Sequence, residues 1–95
     1  MKIRYTREAI DDLKRLRELI AVNNPVAAQR IARELMQGVA KLKLFPKMGI
    51  RVMRASQPEL IRDLFVGHYT VRYLIGHDVL YILRLWHGKE IEKDL

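Results

Sequence analysis

The sequence predicts an α+β fold: an N-terminal strand, an antiparallel helical hairpin, then a three-stranded antiparallel β-meander. Three observations carry this. Apolar residues recur at helical spacing between Ala9 and Leu42. The run from Leu60 to His87 is crowded with β-branched and aromatic residues, and its two breaks carry Gly67 and Gly76. A hairpin needs residues tolerant of positive φ at such breaks.

Lys2 to Tyr5 alternates charged and apolar residues, so it reads as a short strand added to the main sheet. Thr6 is the expected N-cap of a helix running to about Val22. Its inward stripe is Ala9, Leu13, Leu16 and Ile20, widened by Ile10 and Leu19. Asn23-Asn24-Pro25 ends that helix and starts the next, with Asn24 as N-cap and Pro25 at the first helical position. The second helix is expected to reach about Leu44 and to bury Ala28, Ile31, Leu35, Leu42 and Phe45, with Pro46 ending it. Gly38 weakens it by roughly 1 kcal/mol against alanine unless a close contact needs the missing side chain. Residues 46–59 carry no periodicity and read as a loop.

Three strands follow: Leu60 to Val66, Tyr69 to Ile75 and Val79 to His87. A II′-type turn at Gly67-His68 sets Asp63 opposite Arg72. A three-residue loop at Gly76-His77-Asp78 would pair Ile75 with Val79, Tyr73 with Tyr81, Val71 with Leu83 and Tyr69 with Leu85, all on the core face. The outer face then pairs His68 with Trp86, Thr70 with Arg84 and Arg72 with Ile82. A one-residue slip would turn Arg84 inward, which favours this register. Lys89 to Leu95 reads as a short polar tail.

Ninety-five residues make one domain, and a chain this short buries roughly 60–65% of its unfolded surface. No apolar run exceeds five residues, too few for a membrane-spanning helix. The start of the chain has no apolar stretch of the kind a signal peptide needs, so a cytoplasmic protein is expected. The chain has no cysteine, which excludes a disulfide framework, a thiolate metal site and a cysteine nucleophile.

The net charge is +7, and it is unevenly placed. Between Arg30 and Arg62 eight basic residues stand against two acidic ones. That asymmetry suggests an anionic partner, such as nucleic acid, a nucleoprotein particle or an acidic protein; a merely solubilising surface is the alternative.

His68, His77 and His87 lack metal-ligand spacing, so neither metal nor cofactor is expected. Ser56 is the only serine and has no triad context. His87 ends the last strand beside the basic rim and, with an unperturbed pKa of ~6.5, suits proton transfer in RNA cleavage. Equally, it is a strand-end histidine holding the tail by hydrogen bonds. Arg72 and Arg84 can cradle a phosphate, or Arg72 is simply the cross-strand partner of Asp63. Trp86 reads as a core or interface residue before a base-stacking platform.

The helix start Thr6–Ala9–Asp12–Leu13, the stretch NPVAAQRIARELMQGVAKLKLFPKMG, then RDLFVGHYTVRY and the closing VLYILRLWHG together resemble the RelE/ParE superfamily of bacterial toxins. The resemblance spans residues 1–89. It implies a helical hairpin on a small antiparallel sheet, and a toxin of a two-gene module neutralised by a partly disordered antitoxin. RelE-like members cleave mRNA in the ribosomal A site, and ParE-like members poison DNA gyrase. Where the superfamily commonly has Tyr-Arg the chain has Tyr69-Thr70, and where a basic pair follows His-Gly it has Lys89-Glu90. Two phosphate-holding positions are thus lost or reversed. The long second helix and its AA…P..G pattern lean to the ParE-like branch.

The expectation is a ParE-like toxin that inhibits DNA gyrase without catalysis. Arg51, Arg54, Arg62, Trp86 and Lys89 are its expected antitoxin- or target-binding residues. It would touch operator DNA only through the antitoxin. The rival is a RelE-like ribosome-dependent mRNA endonuclease using His87, Arg84 and Arg72, with Arg62 beside them. A third reading is a degenerate member that binds only its antitoxin or operator DNA.

Overall fold

The computed structural model describes residues 1–90, so the polar tail beyond Glu90 lies outside the described residues. The chain runs β1 (Lys2–Tyr5), α1 (Arg7–Asn23), α2 (Pro25–Lys41), β2 (Ile50–Arg51), β3 (Ile61–Val66), β4 (Tyr69–Ile75) and β5 (Val79–His87). The α+β class and the order of elements are those expected. The five strands form one mixed sheet in the order β1-β5-β4-β3-β2, with β1 parallel to β5 and the other neighbours antiparallel. The two-residue β2 lies within the stretch expected to be all loop.

Both helices start on the expected caps. Thr6 Oγ1 accepts from the Ala9 amide at 3.1 Å, and Asn24 Oδ1 from the Ala27 amide at 3.0 Å. Each bond satisfies a donor that the first helical turn leaves without a backbone partner. Ala9 and Leu16 of α1 are buried against the sheet, as are Ala28, Leu35 and Val39 of α2 and Leu42 just past its end. Three assignments change. Ile10 and Leu19 lie on the solvent side of α1, and Phe45 lies past the end of α2, 61% exposed. The stripe is therefore narrower than the sequence suggests. At Gly38 α2 lies close against β3: a Cβ there would sit 2.7 Å from Val66 Cγ2.

The Gly67-His68 hairpin is as expected, with Gly67 at φ 59 and Asp63 opposite Arg72. The next hairpin differs. Ile75 pairs with Leu80, Leu74 with Tyr81 and Tyr73 with Ile82, one residue out of the expected register. Leu80 and Ile82 are then fully buried, while Tyr81 faces solvent. A bulge follows, after which Arg72 pairs with Arg84, Val71 with Leu85, Thr70 with Trp86 and Tyr69 with His87. An extra residue resets the alternation, so Leu85 still points to the helices and Arg84 does not enter the core.

Parallel β1 covers only the first half of β5, and among the described residues no strand pairs with the rest of that edge. Side chains of the N-terminal part of the chain fill the gap. Thr6 Oγ1 donates to Leu83 O at 2.9 Å, the Leu85 amide donates to Asp12 Oδ2 at 2.9 Å, and Arg15 Nη2 donates to Leu85 O at 3.3 Å. An unpaired edge is a template for aggregation, and here one helix substitutes for the missing strand.

Candidate functional site

The outer face of the sheet, turned away from the helices, carries the arginines. Arg72 and Arg84 lie directly across from each other on β4 and β5. Two like charges in that position repel, and each is answered by its own carboxylate. Arg72 Nε and Nη2 hold Asp63 Oδ1 and Oδ2, both at 2.8 Å. Arg84 reaches round the strand to α1, where Nε and Nη2 hold Asp12 Oδ2 and Oδ1 at 2.8 and 3.0 Å. Both are fork-on-carboxylate pairs, the geometry that suits guanidinium best. The Arg72 guanidinium also lies 5.0 Å from the Trp86 ring centroid. Trp86 is only 6% exposed, so it stands as a packed platform for Arg72, not as a projecting anchor.

Asp12, 1% exposed, is the functional-looking residue that sequence reasoning left as part of a helix start. Burial alone would raise its pKa. Bonds from Arg84, the Leu85 amide and Arg15 outweigh that and hold it below the usual carboxylate range. The available signal was a charged residue sitting on the Ala9–Leu13–Leu16 stripe.

His87 occupies the opposite side. It pairs with Tyr69, and side chains alternate along a strand, so both share the helix-facing side with Val71 and Leu85. Its ring meets Tyr69 edge-on, centroids 5.0 Å apart at 84°, with His68 at 6.0 Å. Nδ1 accepts from the Lys89 amide at 3.0 Å, and the His87 amide donates to Glu90 Oε1 at 2.9 Å. Burial, with the charge of Glu90, raises the Tyr69 pKa, which makes that hydroxyl a weak acid at neutral pH. Thus Arg72 and Arg84 come together, whereas His87 lies across the sheet from Arg72.

The remaining basic residues fall in two groups. Arg62 is 8% exposed and serves the fold. Its guanidinium donates to the carbonyls of Glu59, Lys47 and Gly49 at 3.0, 3.2 and 3.1 Å and pairs with Glu59 at 3.2 Å. It is thereby withdrawn from the contact surface expected of it. Beside it Tyr73 accepts from the Gly49 amide at 2.8 Å and donates to Pro46 O at 2.6 Å. Together they fix residues 46–49 against the sheet. Arg51, Arg54 and Lys89 are exposed, with Arg51 on Glu59 at 2.7 Å. Among the described residues no group of histidines and carboxylates could hold a metal ion, and no helix is long and apolar enough to cross a membrane.

Comparisons with known proteins agree with one another. The profile of a family described as the ParE toxin of the type II toxin-antitoxin system, parDE, matches residues 3–92. "Toxin RelE2" of Caulobacter vibrioides is 31% identical over 87 residues, covering 92% of this chain and 94% of that protein. A solved structure, the "Chromosomal ParDE TA system from P. aeruginosa", shares the fold with a TM-score of 0.77, over 92% of this chain and 95% of that one, at 19% identity. The chain belongs to the ParE toxin family of type II toxin–antitoxin systems, within the RelE/ParE superfamily.

Proposed function

We propose that this toxin acts by binding DNA gyrase, without catalysing a reaction itself, and that a cognate antitoxin neutralises it. The observation that carries the reading is the separation of the candidate catalytic groups. Cleaving a phosphodiester needs a proton-transfer group and cationic donors on one phosphate, within hydrogen-bond reach. Here His87 and Arg72 lie on opposite faces of the sheet. Both arginine forks already grip carboxylates, and a phosphate would have to displace Asp63 or Asp12. The Tyr69-Thr70 and Lys89-Glu90 positions remove further cationic support. A surface that inhibits by binding needs none of this.

The ribonuclease reading rests on one specific feature, the direct pairing of Arg72 with Arg84. The experiment that separates the two is induction of the toxin without its antitoxin. SOS response, filamentation and mRNA integrity are followed together, alongside DNA supercoiling by purified gyrase. The expected result is SOS induction, blocked supercoiling and intact mRNA. Rapid codon-linked mRNA cleavage with no SOS response would overturn the proposal.

A further inference from the structure

The two helices carry their exposed charge unequally. On α1 the cations Arg7, Lys14 and Arg17 are matched by Glu8, Asp11 and Glu18, all of them exposed. On α2 Arg30, Arg33 and Lys41 are exposed, and Glu34 is the only acid. Residues three and four apart are neighbours on a helix, so Arg30, Arg33, Gln37 and Lys41 form one row along its solvent side. Lys43 and Lys47, also exposed, continue the charge into the loop. From residue 35 to residue 58 the chain has five basic residues and no acid.

The acids nearest in sequence to this row are weakly placed or already engaged. Glu34 faces Arg30 at 3.7 Å, with both side chains well exposed, and a surface pair of this kind is worth little. Glu59 holds Arg51 and Arg62 at 2.7 and 3.2 Å. A solubilising charge has no reason to collect on one helix while the other stays balanced. Cations of one sign gathered in a row are instead the footprint of a polyanion. The length also fits. At about 1.5 Å per residue, Arg30 to Lys41 spans about 16 Å, and one strand of duplex DNA sets about five phosphates in that distance.

We infer that this row lies along the phosphate backbone of duplex DNA when the toxin is on gyrase, so that the toxin touches enzyme and DNA together. The contact reads no sequence: guanidinium and ammonium groups meet phosphate oxygens and release counterions. The inference rests on the gyrase part of the function proposed above, because DNA is the substrate that gyrase holds.

The test begins with the full-chain toxin and a labelled duplex of random sequence, followed by fluorescence anisotropy. With four phosphates engaged, affinity should fall about 100-fold between about 50 and 200 mM salt. Arg33→Gln combined with Lys41→Gln should reduce the slope of log affinity against log salt by about two, since two phosphate contacts are lost. Lys14→Gln combined with Arg17→Gln removes the same charge from the balanced helix and should change that slope by less than about a half. All four positions are exposed, so both double variants should fold, which circular dichroism checks. The α2 double variant should bind DNA-free gyrase as the parent does, yet need at least about tenfold more protein to block supercoiling. Equal losses from the two double variants would reduce the row to net charge and overturn the inference. Loss of binding to DNA-free gyrase would make the row a contact with acidic protein and overturn it equally. So would full inhibition of supercoiling by the α2 double variant. A parent toxin that binds DNA through α2 but never binds gyrase would overturn the function proposed above and leave the row as a DNA contact.

Discussion

Asp12 is a buried carboxylate that gathers partners from its own helix and from β5, and its chemistry sets a pH dependence. It accepts from Arg84, from Arg15 at 2.6 Å and from the Leu85 amide, thereby joining α1 to the open part of β5. Breaking a buried pair by removing one partner costs about 3–5 kcal/mol, because a charge is left behind without compensation. Arg84 keeps 23% and Arg15 32% of its side chain exposed, so solvent relieves part of that cost. Asp12→Asn is therefore expected at the low end, about 3 kcal/mol, read from urea unfolding at neutral pH. The folded-state pKa of Asp12 is depressed. Its contribution is thus present above the unfolded value of ~3.9 and is lost as pH falls through the folded one. The unmodified chain should lose stability on acidification, and Asp12→Asn should lose measurably less. Parallel curves for the two would show that Asp12 is not the titrating link.

At the level of elements, the contact between α2 and β3 turns on Gly38. Replacing it by alanine gains roughly 1 kcal/mol of helix propensity. It also drives a methyl to 2.7 Å from Val66 Cγ2, and valine, branched at Cβ, has little freedom to turn away. Overpacking of this kind costs about 1–3 kcal/mol. Gly38→Ala should be net destabilising, and Val66→Ala should rescue it in a double-mutant cycle. A Gly38→Ala protein as stable as the parent would mean that α2 shifts freely over the sheet. The elements themselves were legible in the sequence because caps and turns are local chemistry: Thr6, Asn24, Pro25 and Gly67 each do what their type does best. The register of β5 was not. Residues 79–83, Val-Leu-Tyr-Ile-Leu, are apolar in both phases, so alternation gives no direction there. The constraint from Arg84 was sound, but the bulge satisfied it while letting Leu80 and Ile82 turn inward. Likewise β2 left no pattern, since two residues cannot show a period.

Across the whole molecule, the charge that the sequence displays differs from the charge that the fold presents. Arg62 is spent inside, Arg72 and Arg84 are bound to carboxylates, and exposed cations remain along α2 and the loop after it. The sequence reading set His87 beside the basic rim. Its pairing with Tyr69 places it on the helix-facing side with Leu85, the side that alternation along the strand from Leu85 already gives it. The prediction that follows concerns His87→Ala. In a ribonuclease, removing the proton-transfer group typically lowers the rate by 10²–10⁴-fold, and the variant would be harmless when induced. In a toxin that inhibits by binding, a few well-packed anchors dominate and a lone histidine contributes little. The ring here touches Tyr69 and the Lys89 amide, so its loss should loosen the strand end without opening the sheet. His87→Ala should therefore stop growth and block gyrase supercoiling within a few-fold of the parent, while still binding the antitoxin. A folded His87→Ala protein that binds antitoxin yet leaves cells unharmed would place the chemistry on His87 and move the toxin to the RNA-cleaving branch.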